Sequence, residues 1–109
     1  MDLSWNDFTK VDMRVGTVIK VEDFPQARNP AYKLWIDFGA LGTLKSSAQI
    51  TVKYEKEELL GTQVVAVVNF PEKQIGPFMS QCLVLGAVDG KAVTLLSPNK
   101  EVPNGLRIA

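Results

Sequence analysis

The sequence contains no histidine and a single cysteine, Cys82, so two common kinds of reactive site have little to build on. Histidine is the usual proton-transfer group near neutral pH and the commonest ligand of transition metals. One cysteine can neither close an intramolecular disulfide nor build a thiolate zinc site. Because Cys82 stands in the apolar run 82–85, we predict that its thiol is buried and structural.

The chain also lacks an excess of charge of either sign. Twelve Lys and Arg balance twelve Asp and Glu, which gives a formal net charge of zero. A protein that binds nucleic acid without regard to sequence is normally basic overall. Any nucleic-acid binding by this chain must therefore depend on a local basic patch and on shape.

Long apolar runs are missing as well. No stretch approaches the roughly 20 apolar residues that span a bilayer, and residues 1–7 lack the basic and apolar regions of a signal peptide. We therefore expect no membrane insertion and a cytoplasmic location.

The 109 residues, 46% of them hydrophobic, predict one domain, 1–109, with apolar surface left over for a partner. The simplest partner is a second copy of the chain.

β-Strand patterns dominate the residues that are present. Residues 13–21, 32–38 and 43–50 each predict a strand, and the second alternates apolar and polar side chains throughout. In the first strand the odd-numbered residues 13–21 are predicted to share one face. Gly16 interrupts that strand, which predicts a bulge or a sharp bend.

The second half of the chain begins with a predicted short helix, Glu55–Leu60, which is rich in helix formers and ends at Gly61. The apolar run 63–70 predicts a buried fourth strand. Ser4 is predicted to cap a helical turn near the N-terminus. Further strands are predicted over residues 79–88, 91–96 and 106–108. Three strands, one helix and then more strands are the order of a five-stranded Greek-key barrel of the oligonucleotide/oligosaccharide-binding (OB) type, so we predict a mostly β fold.

Candidate catalytic groups have simpler explanations. The carboxylates within residues 55–58 share their stretch with lysines, which favours a solvated helix face. Asp12 and Arg14 stand two apart on the first strand and predict a structural ion pair. Phosphate-binding loops and nucleophile motifs are absent. We therefore expect no enzyme activity, no catalytic residues, no metal and no cofactor.

The outer face of the predicted barrel offers one candidate binding surface. Lys45, Ser47 and Gln49 share the polar face of the third strand, where OB barrels bind their ligands. An ordinary solvated strand explains the same pattern equally well. Trp35 also points away from the core, and either the C-terminal segment, a second copy or a nucleic-acid base can cover it.

The loop that follows the fourth strand, residues 69–81, is a second candidate. It combines amide side chains, Lys73, and apolar side chains capable of exposure, Phe78 and Met79. Aromatic rings can stack on bases and lysine can meet phosphate. The same apolar groups can hold an unfolded peptide, so both ligands stay open at this point.

Several segments resemble one known family. Residues 8–18 resemble the opening of the stand-alone tRNA-binding domains, which are related to the domain appended to bacterial methionyl- and phenylalanyl-tRNA synthetases. Residues 60–70 and 80–87 resemble the second half of those domains. Residues 31–39, together with 45–51, are most similar to the CsaA-type branch, whose members are cytoplasmic, export-related chaperones. The resemblance covers nearly the whole chain.

The resemblance implies an OB barrel, a homodimer with Trp5 and Phe8 at its interface, and a non-catalytic CsaA-like chaperone that assists protein export. Its ligands would be tRNA or another structured RNA. Unfolded or presequence polypeptides are a second class of ligand that the resemblance implies. The alternative is a tRNA-binding module without a chaperone role. The residues implied to line the binding face are Lys45, Ser47, Gln49, Asn69, Lys73, Gln74, Ser80 and Gln81. For polypeptide ligands, Phe70 and Phe78 are added as apolar walls.

Overall fold

The computed structural model describes all of residues 1–109, which form two short α-helices, one 3₁₀ turn and nine strands. In chain order the elements are α1 (Trp5–Thr9), β1 (Met13–Asp23), β2 (Tyr32–Asp37), a 3₁₀ turn (Gly39–Leu41), β3 (Thr43–Ala48), α2 (Lys56–Leu59), β4 (Gln63–Val67), β5 (Lys73–Ile75), β6 (Phe78–Ser80), β7 (Leu83–Val84), β8 (Gly86–Asp89) and β9 (Ala92–Leu95). No helix has the length and apolar character needed to cross a membrane.

Five of the strands form one sheet in the order β3–β2–β1–β4–β7, and all its pairings are antiparallel. The sheet curls until β3 meets the chain just before β7. There the backbone N–H groups of Gln81 and Cys82 donate to the carbonyl oxygen of Lys45 at 2.7 and 3.2 Å. The result is a nearly closed five-stranded barrel with α2 between β3 and β4, which confirms the predicted OB-type fold.

The core of the barrel follows the alternation of β2. Tyr32, Leu34, Ile36 and Phe38 are all buried and belong to one apolar cluster. Leu59 of α2 joins the same cluster, so the short helix covers one end of the barrel interior. The polar Ser46 also lies inside, where its hydroxyl donates to the Cys82 carbonyl at 2.8 Å. Burial of this hydroxyl is tolerated because its hydrogen bond is satisfied.

β1 departs from the predicted alternation. Its pairing with β2 shifts register around Ile19, three residues beyond Gly16. Val18 is fully buried whereas Ile19 is 51% exposed, so the residues that enter the core change from even to odd numbers at this bulge. Gly16 does not form this bulge and has another role. A Cβ at Gly16 would lie 2.6 Å from Ile36 Cγ2 and 2.8 Å from the Phe38 ring, so its absence permits close packing.

The region after β4 differs from prediction in two ways. Residues 71–77, expected as an open loop, contain part of the β5–β6 hairpin, which turns at Gly76 with a positive φ of 56°. The strand expected over 79–88 is broken into β6, β7 and β8. The β8–β9 hairpin turns at Gly90, the second residue of an Asp-Gly pair of the kind that favours two-residue hairpin turns.

The C-terminal segment is tied to β1. The Val15 N–H donates to the Leu106 carbonyl at 3.0 Å, and the Ile108 N–H donates to the Met13 carbonyl at 2.8 Å. The predicted last strand is therefore a single bridge along β1 and not a full strand. At the other end, Ser4 caps α1 by accepting from the backbone N–H of Asp7, as predicted.

Candidate nucleic-acid interface

The outer surface of β1, β2 and β3 carries two parallel rows of side chains. Strand register places three residues of neighbouring strands side by side in each row, and the rows are two residues apart along the strands. Because side chains alternate between the faces of a strand, both rows point away from the core. We call this set the outer grid: Lys20, Trp35 and Lys45 in one row, and Glu22, Lys33 and Ser47 in the other.

An aromatic cluster supports the outer grid. Phe78 of β6 packs edge-on against Trp35 and Phe24, with ring centroids 5.8 and 5.4 Å apart. Such edge-to-face pairs are favoured because the positive ring edge meets the negative ring face. Trp35 is therefore covered in part by the β5–β6 hairpin and by Lys20, neither of which belongs to the C-terminal segment.

The lysines of the outer grid lie over these rings. The Lys20 ammonium is 4.5 Å from the centroid of Trp35, and the Lys45 ammonium is 5.0 Å from that of Phe78. The Lys33 ammonium lies 5.9 Å from Phe78 and 5.6 Å from Phe24. A cation is attracted to the negative face of an aromatic ring. The three ammonium groups are thereby held at the surface, next to the partly exposed indole.

Four of the predicted binding residues come together at the closure of the barrel. Ser80 Oγ accepts from the Ser47 N–H at 3.1 Å, and Gln81 Oε1 accepts from the Lys45 N–H at 3.0 Å. Gln81 also donates to a carboxylate oxygen of Glu72 at 3.1 Å. Ser80 and Gln81 thus satisfy backbone groups of β3, while the Lys45 ammonium takes part in no ion pair.

A surface hollow of about 270 Å³ opens beside this closure. Phe70 and Leu83 are 54% and 48% exposed, so two of its walls are apolar. Lys73 of β5 is exposed and lies at the same hollow. The hollow is lined by Phe70, Pro71, Lys73, Ser80, Gln81, Cys82 and Leu83. Apolar walls beside an ammonium group suit an apolar side chain of a polypeptide as well as a nucleic-acid base.

Two predicted residues lie apart from this hollow. Gln74, on the exposed side of the β5–β6 hairpin, donates to the carbonyl oxygen of Gly76 at 3.1 Å. Gln49 follows the end of β3 and borders a second hollow together with Lys91 and Val88. The structure therefore divides the predicted binding face into an outer grid, one hollow and these outlying residues.

Two expectations about individual side chains change. Asn69 uses both ends of its amide to hold the segment between α1 and β1: it accepts from the Asp12 N–H at 3.0 Å and donates to the Lys10 carbonyl at 2.7 Å. Little of the amide is left for a ligand. Phe78, expected to be capable of exposure, is only 6% exposed because Trp35 and Phe24 pack against it.

Trp5 and Phe8, predicted at a dimer interface, belong to an apolar patch formed by both chain ends. Trp5 is 83% exposed, and Phe8 is partly exposed on the same short helix. Together with Leu3 and Ala109 these residues line a shallow hollow. An exposed indole of this kind is unusual on a surface that meets only water.

The titratable groups singled out in the sequence have structural roles. The Arg14 guanidinium lies 2.6 Å from a carboxylate oxygen of Asp12, which confirms the predicted ion pair. Its hydrogen bond lowers the pKa of the Asp12 carboxyl below the ordinary value. The Cys82 thiol is buried, as predicted, and burial raises its pKa to about 12. A thiol that keeps its proton at neutral pH is a poor nucleophile.

Sequence reasoning missed three members of the outer grid: Lys20, Glu22 and Lys33. The alternation of β2 already placed Lys33 and Trp35 on one outer face. The missing information was the register with β1, since the bulge at Ile19 decides which residues of that strand point outwards.

Comparisons with known proteins agree with this geometry. A family model described as "Putative tRNA binding domain" matches residues 13–107. The methionine–tRNA ligase of Nanoarchaeum equitans is 40% identical over an alignment of 108 positions, which covers 97% of this chain and 13% of that enzyme. The chain thus spans less than a fifth of the length of the curated relatives it matches.

Solved structures of the same size are more similar. The chaperone CsaA from Bacillus anthracis is 51% identical to this chain and superposes on it with a TM-score of 0.96. The match covers 100% of both chains. The CsaA chaperone protein from Picrophilus torridus is also 51% identical, with a TM-score of 0.92, over 99% of this chain and 100% of that one.

Proposed function

Because the chain belongs to the tRNA-binding-domain family, we propose that it is a non-catalytic, homodimeric protein that binds structured RNA such as tRNA on its outer grid. The observation that carries this proposal is a set of three ammonium groups on one aromatic cluster: that of Lys20 lies over the partly exposed ring of Trp35, and those of Lys33 and Lys45 lie over Phe78, which packs against Trp35. Lysine meets phosphate, and bases stack on aromatic rings. A local patch of this kind can bind RNA although the chain as a whole is neutral.

The number of lysines sets the salt dependence that we expect. Each phosphate neutralised by lysine adds about 0.7 to 0.9 to the slope of log affinity against log salt. Three or four contacts per protomer, including Lys73, then predict a loss of about 20- to 150-fold between roughly 50 and 200 mM salt.

Homodimerisation would double this weak basic surface. We propose that the apolar patch around Trp5 and Phe8 is covered by a second copy, which removes an exposed indole from water. Two outer grids on one rigid body would bind a single large RNA with avidity if the RNA spans both. The cytoplasm, where tRNA is abundant, is the proposed location.

A second function, that of a CsaA-like chaperone assisting protein export, is favoured by the hollow beside Phe70. The apolar walls formed by Phe70 and Leu83 suit side chains of unfolded or presequence polypeptides. The CsaA chaperones, 51% identical to this chain, support the same proposal. Binding through apolar burial is weakly screened by salt, so polypeptide affinity is expected to survive salt that abolishes RNA binding.

The test is fluorescence anisotropy of labelled tRNA against the purified protein at about 50 and 200 mM salt. Lys45→Glu with Lys73→Glu should weaken binding by about tenfold or more, because two attractive charges become repulsive. Lys100→Glu with Lys53→Glu makes the same charge change away from the grid and serves as the control. Equal losses in the two double variants would contradict a specific face.

An unfolded polypeptide, added as competitor, separates the two functions. Displacement of tRNA by the polypeptide indicates that the two ligands share or overlap a site. Polypeptide binding that leaves bound tRNA in place indicates separate sites. Absence of tRNA binding even at the lower salt concentration would refute the RNA proposal and leave the chaperone function as the better explanation.

A further inference from the structure

One carboxylate of the outer grid touches two of its ammonium groups. Glu22 Oε2 lies 3.3 Å from Lys20 Nζ, and Glu22 Oε1 lies 3.4 Å from Lys33 Nζ. Each oxygen therefore faces a different lysine, one on β1 and one on β2. A phosphodiester group likewise presents two negatively charged oxygens on a single atom. The Glu22 carboxylate thus offers the two lysines the same pair of charged oxygens that a phosphodiester group would offer.

We propose that Lys20 and Lys33 form a phosphate-binding subsite, which the Glu22 carboxylate fills in the free protein and vacates when RNA binds. The proposal rests on the RNA-binding function proposed above, since it identifies one subsite within the outer grid. It also assigns to Glu22 a role opposite to that of its neighbours: the carboxylate competes with the ligand.

The lysines are held independently of Glu22. Lys20 lies over the ring of Trp35, and Lys33 lies over Phe24 and Phe78, so both ammonium groups keep an attractive partner when the carboxylate leaves. These rings belong to the packed aromatic cluster, of which Glu22 is not a member. The subsite is therefore already formed in the free protein.

The carboxylate, in contrast, is free to leave. The Glu22 side chain is 43% exposed, and its contacts are ion pairs at the surface. Exposed ion pairs contribute little to stability, so rotation of the side chain into water is a small cost. The hydrogen bond from Lys20 lowers the pKa of Glu22 below its ordinary value, so the competing group is ionised at neutral pH.

Glu22→Gln removes the competing charge and keeps the size of the side chain. A unit charge about 6 Å from a phosphate in water changes affinity by about threefold. We therefore expect this variant to bind labelled tRNA about three- to tenfold more tightly at low salt. Glu101→Gln removes an exposed carboxylate of the C-terminal tail that takes part in no ion pair, and it should change affinity by less than about twofold.

The double variant Lys20→Gln with Lys33→Gln tests whether the gain passes through the two lysines. In that background, the further change Glu22→Gln should leave tRNA affinity within about twofold, because no phosphate subsite remains to be released. Thermal melting of every variant shows whether each is folded at the assay temperature. The substituted side chains lie outside the core cluster, so all variants are expected to fold.

Three results overturn the proposal. Unchanged or weaker binding by Glu22→Gln refutes the competing role of the carboxylate while leaving RNA binding itself intact. An equal gain in tRNA affinity when Glu22→Gln is added to the Lys20→Gln, Lys33→Gln variant shows that the effect comes from net charge alone, and it also refutes the subsite. Absence of tRNA binding by the unsubstituted protein refutes the proposed function, and the subsite with it.

Discussion

Phe78 provides the sharpest test of how the candidate interface is built. It is buried, and it joins the β5–β6 hairpin to the barrel through two edge-to-face contacts, one with Phe24 and one with Trp35. The ammonium groups of Lys33 and Lys45 also lie over its ring. Phe78→Ala removes all of these contacts at once and leaves a cavity under the hairpin.

The expected loss follows from packing. Truncation of a buried phenylalanine to alanine destabilises a domain by about 3–5 kcal/mol, of which each aromatic pair contributes about 0.5–1.5 kcal/mol. Because the site lies near the surface and can partly collapse, we expect a value near the lower end, about 3 kcal/mol. Domains of this size have a stability of about 5–15 kcal/mol, so the variant should stay folded at room temperature.

Urea unfolding followed by far-ultraviolet circular dichroism measures this loss. With a urea dependence of about 1–3 kcal/mol per molar, the midpoint should fall by about 1–3 M. Phe78→Leu keeps most of the buried volume but loses the ring contacts, so a loss of about 1–1.5 kcal/mol in the free energy of unfolding is expected for this control.

Affinity for tRNA should fall in the alanine variant even where it is folded, because Lys33 and Lys45 lose their support. A loss below about 1 kcal/mol, without faster amide exchange in residues 73–80, would refute the assigned packing.

Three further predictions concern other parts of the molecule. Gly16→Ala should lower the free energy of unfolding by about 1–3 kcal/mol, because the new methyl group meets the Phe38 ring, and a higher urea midpoint would contradict this. Cys82, with a pKa raised to about 12 from 9.0, should react with a disulfide reagent at pH 8 at least about 30-fold more slowly in the folded than in the unfolded protein, because the smaller thiolate fraction outweighs the higher nucleophilicity of the thiolate. Since the folded thiol keeps its proton above the pH at which the unfolded one loses it, the associated stability is complete below pH 9 and is lost as pH rises towards 12. Trp5→Ala with Phe8→Ala should shift sedimentation towards the monomer, and a variant that is still dimeric at low micromolar concentration would place the interface elsewhere.

The sequence predicted the barrel well where one rule governs a whole segment. The alternation of residues 32–38 placed every core side chain of β2 correctly, and the single predicted helix lies between β3 and β4. The rule of alternation failed in β1, because the extra residue of a bulge cannot be recognised from hydrophobicity. Val18 and Ile19 are both apolar and β-branched, and either could be the core residue. Residues 71–77 carry the turn signals of a loop, since two prolines and Gly76 mask a hairpin that is stabilised by packing of Ile75 and Phe78 in the cluster with Phe24.

The candidate site was predicted only in part for a related reason. Lys45 and Ser47 stand on one strand, and a period of two is enough to place them on the same face. Lys20 and Lys33 come from different strands, and their meeting at Glu22 depends on register across the pair. Asn69 shows the opposite error, because composition cannot tell an amide that is free from one that the backbone already occupies.

The bulge at Ile19 makes this position tolerant of two kinds of change. The side chain is half exposed and enters no core cluster, so a wide choice of residues should be accepted there. The residue is also the extra one in the ladder, because Val18 pairs with Ile36 and Lys20 pairs with the next residue of β2, Trp35. Deletion of Ile19 would therefore leave the other pairs in register, whereas deletion of a residue within β2, which has no bulge, would turn core side chains out to water. Homologous sequences aligned to this chain should therefore tolerate a gap at position 19 but none within residues 33–36.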